Sequence, residues 1–211
     1  MPATDKLVQG YQRFRAAYYQ QNKDHLIKLA QAGQAPKIAL VSCCDSRVEP
    51  SIIMDCDPGD LFVVRNVANL IPPCECDHSL HGTSAALEFA VTGLEVESII
   101  VLGHAQCGGI KSLMDKAEVS NPDSFISRWM SQLQGVRERV LDNSDYTTSA
   151  ERYRACELEG IIQSLEHLMS FPWIRTRVEA GELKLHGWYY DLNSAELFAL
   201  QTDTHEFQKI S

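Results

Sequence analysis

The sequence predicts an α/β fold: a central, mostly parallel β-sheet of about four parallel strands plus an antiparallel edge strand, flanked by helices and preceded by an N-terminal helical arm. Three observations lead there. Compact apolar runs at residues 38–42, 61–64 and 98–102 have the length of buried strands and lack the alternation of a half-exposed one. Segments with apolar residues at three- and four-residue steps alternate with strands through the first two-thirds of the chain, as in βαβ units. The tail instead carries two strand-like runs, 183–190 and 195–200, joined by a turn at 191–194, which reads as a hairpin.

The arm comes first. Over residues 6–20, Leu7, Tyr11, Phe14 and Tyr18 share one helical face, and a second short helix over 24–32 ends near Gly33 and Pro36. Ala86, Phe89, Ala90 and Gly93 suggest a packed helix over 82–92, and another helix is expected to open near Cys107. Phe125, Trp129, Leu133, Val136 and Val140 give 125–141 helical spacing. After a polar gap at 142–148, Leu158, Ile162, Leu165 and Met169 define a further helix, with Pro172 expected to end it. No repeat, low-complexity stretch or linker divides the chain. Residues 1–211 are therefore expected to form one domain, with 1–35 as the arm.

Composition removes whole classes of function. A net charge of −9 argues against nucleic acid or an anionic membrane as partner, though it leaves room for a small anion beside a buried arginine. The first ten residues contain Asp5 and Lys6 and no apolar run, so no secretory signal is expected, and no stretch has the length of a membrane span. Seven cysteines, an odd number, several of them beside strand-like runs, favour thiols or metal ligands in a reducing compartment, the cytoplasm by default.

Two clusters carry chemistry. Cys43-Cys44-Asp45-Ser46-Arg47 follows the first expected strand, and Gly103-His104-Ala105-Gln106-Cys107-Gly108-Gly109 follows the third. Ligands of open α/β sheets bind beyond the carboxyl ends of strands, where neighbouring strands wind in opposite directions. Adjacent strands would bring Cys43, His104 and Cys107 to one point. Two sulfurs and one imidazole suit Zn²⁺, one ion per subunit, and three protein ligands leave the fourth tetrahedral position to water. Cys107 opens a helix, whose dipole favours a thiolate, and Gly108 and Gly109 let backbone approach closely. A buried cysteine or a hydrogen-bonded core histidine is commoner in isolation, but two such motifs, each after a parallel-type strand, outweigh that reading.

These motifs closely resemble the two signatures of the β-class carbonic anhydrases. The resemblance extends through residues 58–69, 81–88 and 185–191 and covers nearly the whole chain. It implies reversible hydration of carbon dioxide to bicarbonate and a proton, by attack of zinc-bound hydroxide on CO₂. It assigns Asp45 to orient the nucleophile and Arg47 to pair with Asp45, and it implies a homodimer or homotetramer whose N-terminal arm packs on a neighbouring subunit. Some members close the site by moving the aspartate onto zinc, and those carry a bicarbonate-binding tryptophan, arginine and tyrosine. Arg65 and Tyr190 correspond to the last two, but Leu40 stands where the tryptophan would lie, which favours the open form. His78 and His81, in the loop before the 82–92 helix, are candidate proton relays or, equally, capping or exposed histidines. Gly108 joins them as a cleft candidate.

Cys74 and Cys76 form a C-x-C that reads as incidental thiols rather than a second metal site, and Cys44, Cys56 and Cys156 as packing residues. Two rival functions stand beside the main one. The same site could hydrolyse a related small heterocumulene such as carbon disulfide, or zinc could serve only to fold a regulatory protein. The Asp45–Arg47 pair argues against the second. A nucleotide-binding role is set aside because no glycine-rich phosphate loop follows the first strand.

Overall fold

The computed structural model describes residues 2–75, 77, 79–115 and 124–210. Four strands run parallel: Ile38–Cys43 (β1), Leu61–Asn66 (β2), Ser98–His104 (β3) and Lys184–Asp191 (β4). Glu196–Leu200 (β5) and Phe207–Lys209 (β6) extend the sheet antiparallel, giving the order β2-β1-β3-β4-β5-β6. The antiparallel edge thus has two strands where one was expected. β6 has three residues and only Phe207 turned toward the core, too little for a periodic signal.

β1 pairs with β2 on one side and β3 on the other, so the chain winds in opposite directions from β1. Ala39–Cys43 of β1 and Ile99–His104 of β3 are wholly buried, as expected of central strands covered on both faces. Val41 lies opposite Val101 and Ser42 opposite Leu102. That register brings the carboxyl ends of the two strands level.

The helices are Ala3–Ala16 (α1), Tyr18–Gln21 (α2), Lys23–Ala32 (α3), Pro50–Ile53 (α4), Gly82–Glu88 (α5) and Gly108–Asp115 (α6). Phe125–Met130 (α7), Gln134–Asp142 (α8), Ser149–Leu168 (α9) and Pro172–Glu179 (α10) complete them. The expected 82–92 helix changes after α5 into a π turn at Phe89–Gly93, with Phe89 half exposed, and the 125–141 helix is split by a 3₁₀ turn at Ser131–Leu133. Pro172 begins a helix rather than ending one. At the first helical position its missing N–H costs nothing and its fixed φ fits, while α9 ends by itself at Leu168.

α9 opens with a full capping box, in which Thr148 caps the Glu151 amide and Glu151 returns to the Thr148 amide. It lies tightly on the sheet. A Cβ on Gly103 or Gly187 would come within 2.7 or 2.9 Å of Ile161 atoms, so those two glycines in β3 and β4 admit the helix. The arm behaves differently: α1, α2 and α3 contain no buried residue. No described helix is long and apolar enough to cross a membrane.

Candidate metal centre

Cys43 ends β1, His104 ends β3, and Cys107 stands one residue before α6. Their ligating atoms all lie within 4.8 Å of one another, and all three residues are buried. The two sulfurs are 4.0 Å apart. Tetrahedral zinc with Zn–S bonds of about 2.3 Å would hold them about 3.8 Å apart. His104 donates from Nδ1 to the Ala105 carbonyl at 2.8 Å, which leaves Nε2 as the lone-pair nitrogen. Nε2 is buried and has no hydrogen-bond partner. A buried nitrogen of this kind, facing two sulfurs, forms a donor set that fits zinc.

The Cys43 thiol is pulled down, first by the hydrogen bond from Cys107, against burial, and with help from the neighbouring His104 and the Asp45 and Ala68 amides. The Cys107 thiol is pushed up by the same contact and by burial. A divalent cation taking both sulfurs as thiolates would release the protons they carry. Burial pulls the His104 imidazole down, but the neighbouring Cys43 sulfur, the Ala105 carbonyl and Asp45 outweigh it and leave the pKa raised.

Local backbone explains the aim of each group. Cys107 stands at the N-cap position of α6, its carbonyl accepting from the Lys111 amide at 2.9 Å, and the Gly109 and Ile110 amides favour its thiolate. Gly109 is needed there: a Cβ would sit 2.8 Å from Val67 Cγ1 and 3.3 Å from Ala68 Cβ. Gly108 would meet nothing within 4 Å, so close approach is a property of Gly109 alone. Gln106 takes a left-handed φ of 57°, which turns the chain between His104 and Cys107.

Asp45 Oδ1 accepts from the Arg47 amide and Nε, each at 3.0 Å, and Oδ2 accepts from Arg47 Nη2 at 2.7 Å. This bidentate grip, foremost among its causes, holds the Asp45 carboxyl well below the usual carboxylate range. Asp45 Oδ2 lies 4.0 Å from His104 Nε2, at the edge of the donor cluster. Arg47 Nη2 also donates to the Gln106 carbonyl at 3.0 Å, tying the two motif loops together.

The cleft candidates are dispersed. Arg65 spends its donors on the Cys43, Asp45 and Val48 carbonyls and on Glu49, and so braces the loop that carries Asp45. Tyr190 lies opposite His104 in the sheet register, its carbonyl accepting from the Ala105 amide at 2.9 Å, and its side chain packs on the cluster containing Leu40. His81 precedes α5 and pairs with Asp77 at 2.5 Å; with Glu75 these form an exposed cluster. His78 and Cys76 lie outside the described residues. Cys74 packs partly buried against the core, Cys156 is buried and Cys56 partly so, whereas Cys44 is exposed and does not pack as expected. Sequence reasoning missed Glu157, a buried acid on α9 that accepts from the Cys107 amide at 3.0 Å.

Residues 38–197 match the carbonic anhydrase family model. The chain is 35% identical over 202 residues to a carbonic anhydrase of Synechocystis sp., covering 96% of this chain and 73% of that protein. It is 40% identical over 187 residues to β carbonic anhydrase 5, chloroplastic, of Arabidopsis thaliana, covering 89% of this chain and 61% of that protein. Among solved structures, the β-carbonic anhydrase CcaA superposes with a TM-score of 0.91 at 34% identity, covering 99% of this chain and 92% of that one. One of two tetrameric β-carbonic anhydrases from the ascomycete Sordaria macrospora gives 0.84 at 28% identity, covering 95% and 98%. Sheet order, the meeting of two cysteines and a histidine beyond its switch point, and these likenesses all agree: the chain belongs to the β-class carbonic anhydrases.

Proposed function

We propose that this protein catalyses the reversible hydration of carbon dioxide to bicarbonate and a proton with one Zn²⁺ held by Cys43, His104 and Cys107. The observation that carries this reading is the buried, unpartnered Nε2 of His104 facing two sulfurs, with the Arg47-held carboxylate of Asp45 at 4.0 Å. Zinc, when bound, lowers the pKa of a coordinated water to roughly 7 and so supplies a nucleophile at neutral pH.

The chain's own residues do the rest. Arg47 keeps Asp45 ionised, so Asp45 is acceptor-only and orients the O–H of the attacking group toward CO₂. Arg65 braces the Asp45 loop, Gly108 borders the substrate's approach, and His78 or His81 relays the released proton to buffer. Asp45 stays off the metal at neutral pH. Its two oxygens are already taken by Arg47, and Leu40 replaces the tryptophan of the bicarbonate-closed form. A crystal grown at neutral pH with Asp45 on zinc would overturn that part.

The chain acts as one domain that assembles into a homodimer or homotetramer through residues 1–35. The exposed apolar face of α1 and the tetrameric Sordaria relatives support this. Free thiols support a reducing compartment such as the cytoplasm, although the Arabidopsis relatives carry chloroplastic and mitochondrial names. The test is stopped-flow CO₂ hydration on protein of measured zinc content, from roughly pH 6.5 to 9. Turnover is expected to scale with zinc and rise with pH. Zinc-loaded protein without turnover would sink the proposal.

A further inference from the structure

Cys107 is the N-cap of α6, and a capped helix start normally has two halves. The cap side chain takes inner amides, and a Glu or Gln at the third helical position returns to the amide of the cap residue. Cys107 holds the cap position, its carbonyl taking the Lys111 amide at 2.9 Å, and its sulfur faces the Gly109 and Ile110 amides, which favour it as thiolate. The second half has no local source, because the third helical position is Ile110, an apolar core residue. The same chain builds the complete local version at the start of α9, with Thr148 and Glu151.

At α6 the missing carboxylate arrives from another helix. Glu157 Oε1 accepts from the Cys107 amide at 3.0 Å. Oε2 accepts from the Tyr189 hydroxyl at 2.9 Å. The side chain is only 6% exposed. Its reach depends on the close seat of α9, where Ile161 packs over Gly103, the residue before His104. We propose that Glu157 is a positioning residue for the metal centre: it completes the α6 cap from α9 and fixes the Cys107 backbone so that the sulfur faces the ion. This rests on the reading above that Cys107 holds zinc.

Reach and charge can be separated. Glu157→Gln loses the charge but keeps the length and a carbonyl oxygen for the Cys107 amide, while its NH₂ can donate to the Tyr189 oxygen. Glu157→Asp keeps the charge but falls one methylene short. Zinc affinity is read by competition with a chromogenic chelator, and the sulfur-to-metal absorption of the cobalt(II)-substituted protein reports ligand geometry. Glu157→Gln is expected to hold zinc as tightly as the native chain with an unaltered cobalt spectrum. Glu157→Asp is expected to bind about 10- to 100-fold more weakly with a shifted one.

An aspartate variant that binds as the native chain does, or a glutamine variant as weak as the aspartate, overturns the positioning role. Thermal unfolding of the zinc-free chains gives the control. A side chain serving stability alone moves the midpoint and leaves zinc affinity per folded chain unchanged, which also counts against the role. A native chain that takes up no zinc sinks the metal reading itself. A native chain that binds zinc beside an unaffected Glu157→Asp sinks only this inference.

Discussion

Asp45 and Arg47 stand two residues apart in a tight turn, so backbone geometry alone presents the Arg47 amide and guanidinium to one carboxylate. Removing the charge without removing the shape isolates what the carboxylate does. Asp45→Asn is expected to keep zinc, because no donor of the cluster changes, and to lose CO₂ hydration on the order of 100-fold or more. Zinc content and stopped-flow turnover on the same sample decide it, and a fully active asparagine variant refutes the role. A different titration belongs to His186. Burial first, and then the charge of Lys184, lower its pKa, so the folded chain prefers neutral imidazole. Its stabilising contribution is present above the ordinary histidine pKa of about 6.5 and is lost as pH falls through the lower folded value. Denaturant midpoints should therefore decline as pH falls below the ordinary histidine value of about 6.5, and His186→Gln should flatten part of that decline. Asp45 acts in a more acidic window. Its lowered pKa gives stability above the ordinary aspartate value of about 3.9 that is lost only below it, so the two effects do not overlap. Equal slopes in both chains would refute the assignment to His186.

β3 and α9 meet across Gly103, and that contact ties packing to chemistry. An added Cβ would stand 2.7 Å from Ile161 Cδ1 and 2.8 Å from its Cγ1. Gly103→Ala should cost about 1–3 kcal/mol in denaturant unfolding, as overpacked cores do, and should weaken zinc binding because His104 is the next residue. A variant with native stability and native zinc affinity would show that α9 has slack. The same contact marks where the sequence stopped being readable. Cys43, His104 and Cys107 were legible because parallel strands bring their carboxyl ends to a predictable place, and β1 and β3 are continuous buried runs. Glu157 was not, since in Cys156-Glu157-Leu158-Glu159 it reads like any polar helix position, and only the tight seat of α9 buries it. Arg65 was placed in the cleft by resemblance, while its donors brace the neighbouring loop, a use that depends on the turn between β1 and α4. Pro172 was misplaced for a local reason: a proline that cannot continue one helix is well suited to begin the next.

The arm leaves a run of apolar side chains in the open. Leu7 is 73%, Val8 56%, Tyr11 58% and Phe14 43% exposed, all on α1, while attachment to the body falls to α2 and α3. There His25 meets the Pro58 carbonyl at 3.0 Å and Leu29 fills the space over Gly59. Anchoring at one end and an uncovered aromatic stripe at the other support the proposal that a second copy of the chain covers this face. Deleting residues 1–33 should thus reduce the assembled mass seen by light scattering and lower the unfolding midpoint together. A gentler variant, Leu7→Lys with Tyr11→Lys, leaves the anchor intact and places two charges on the stripe. If the stripe is covered by a partner, the pair should dissociate the assembly while each monomer keeps its helical content by circular dichroism. If the stripe faces only water, the charges should change neither mass nor midpoint, since exposed substitutions of that kind usually cost within about 0.5 kcal/mol.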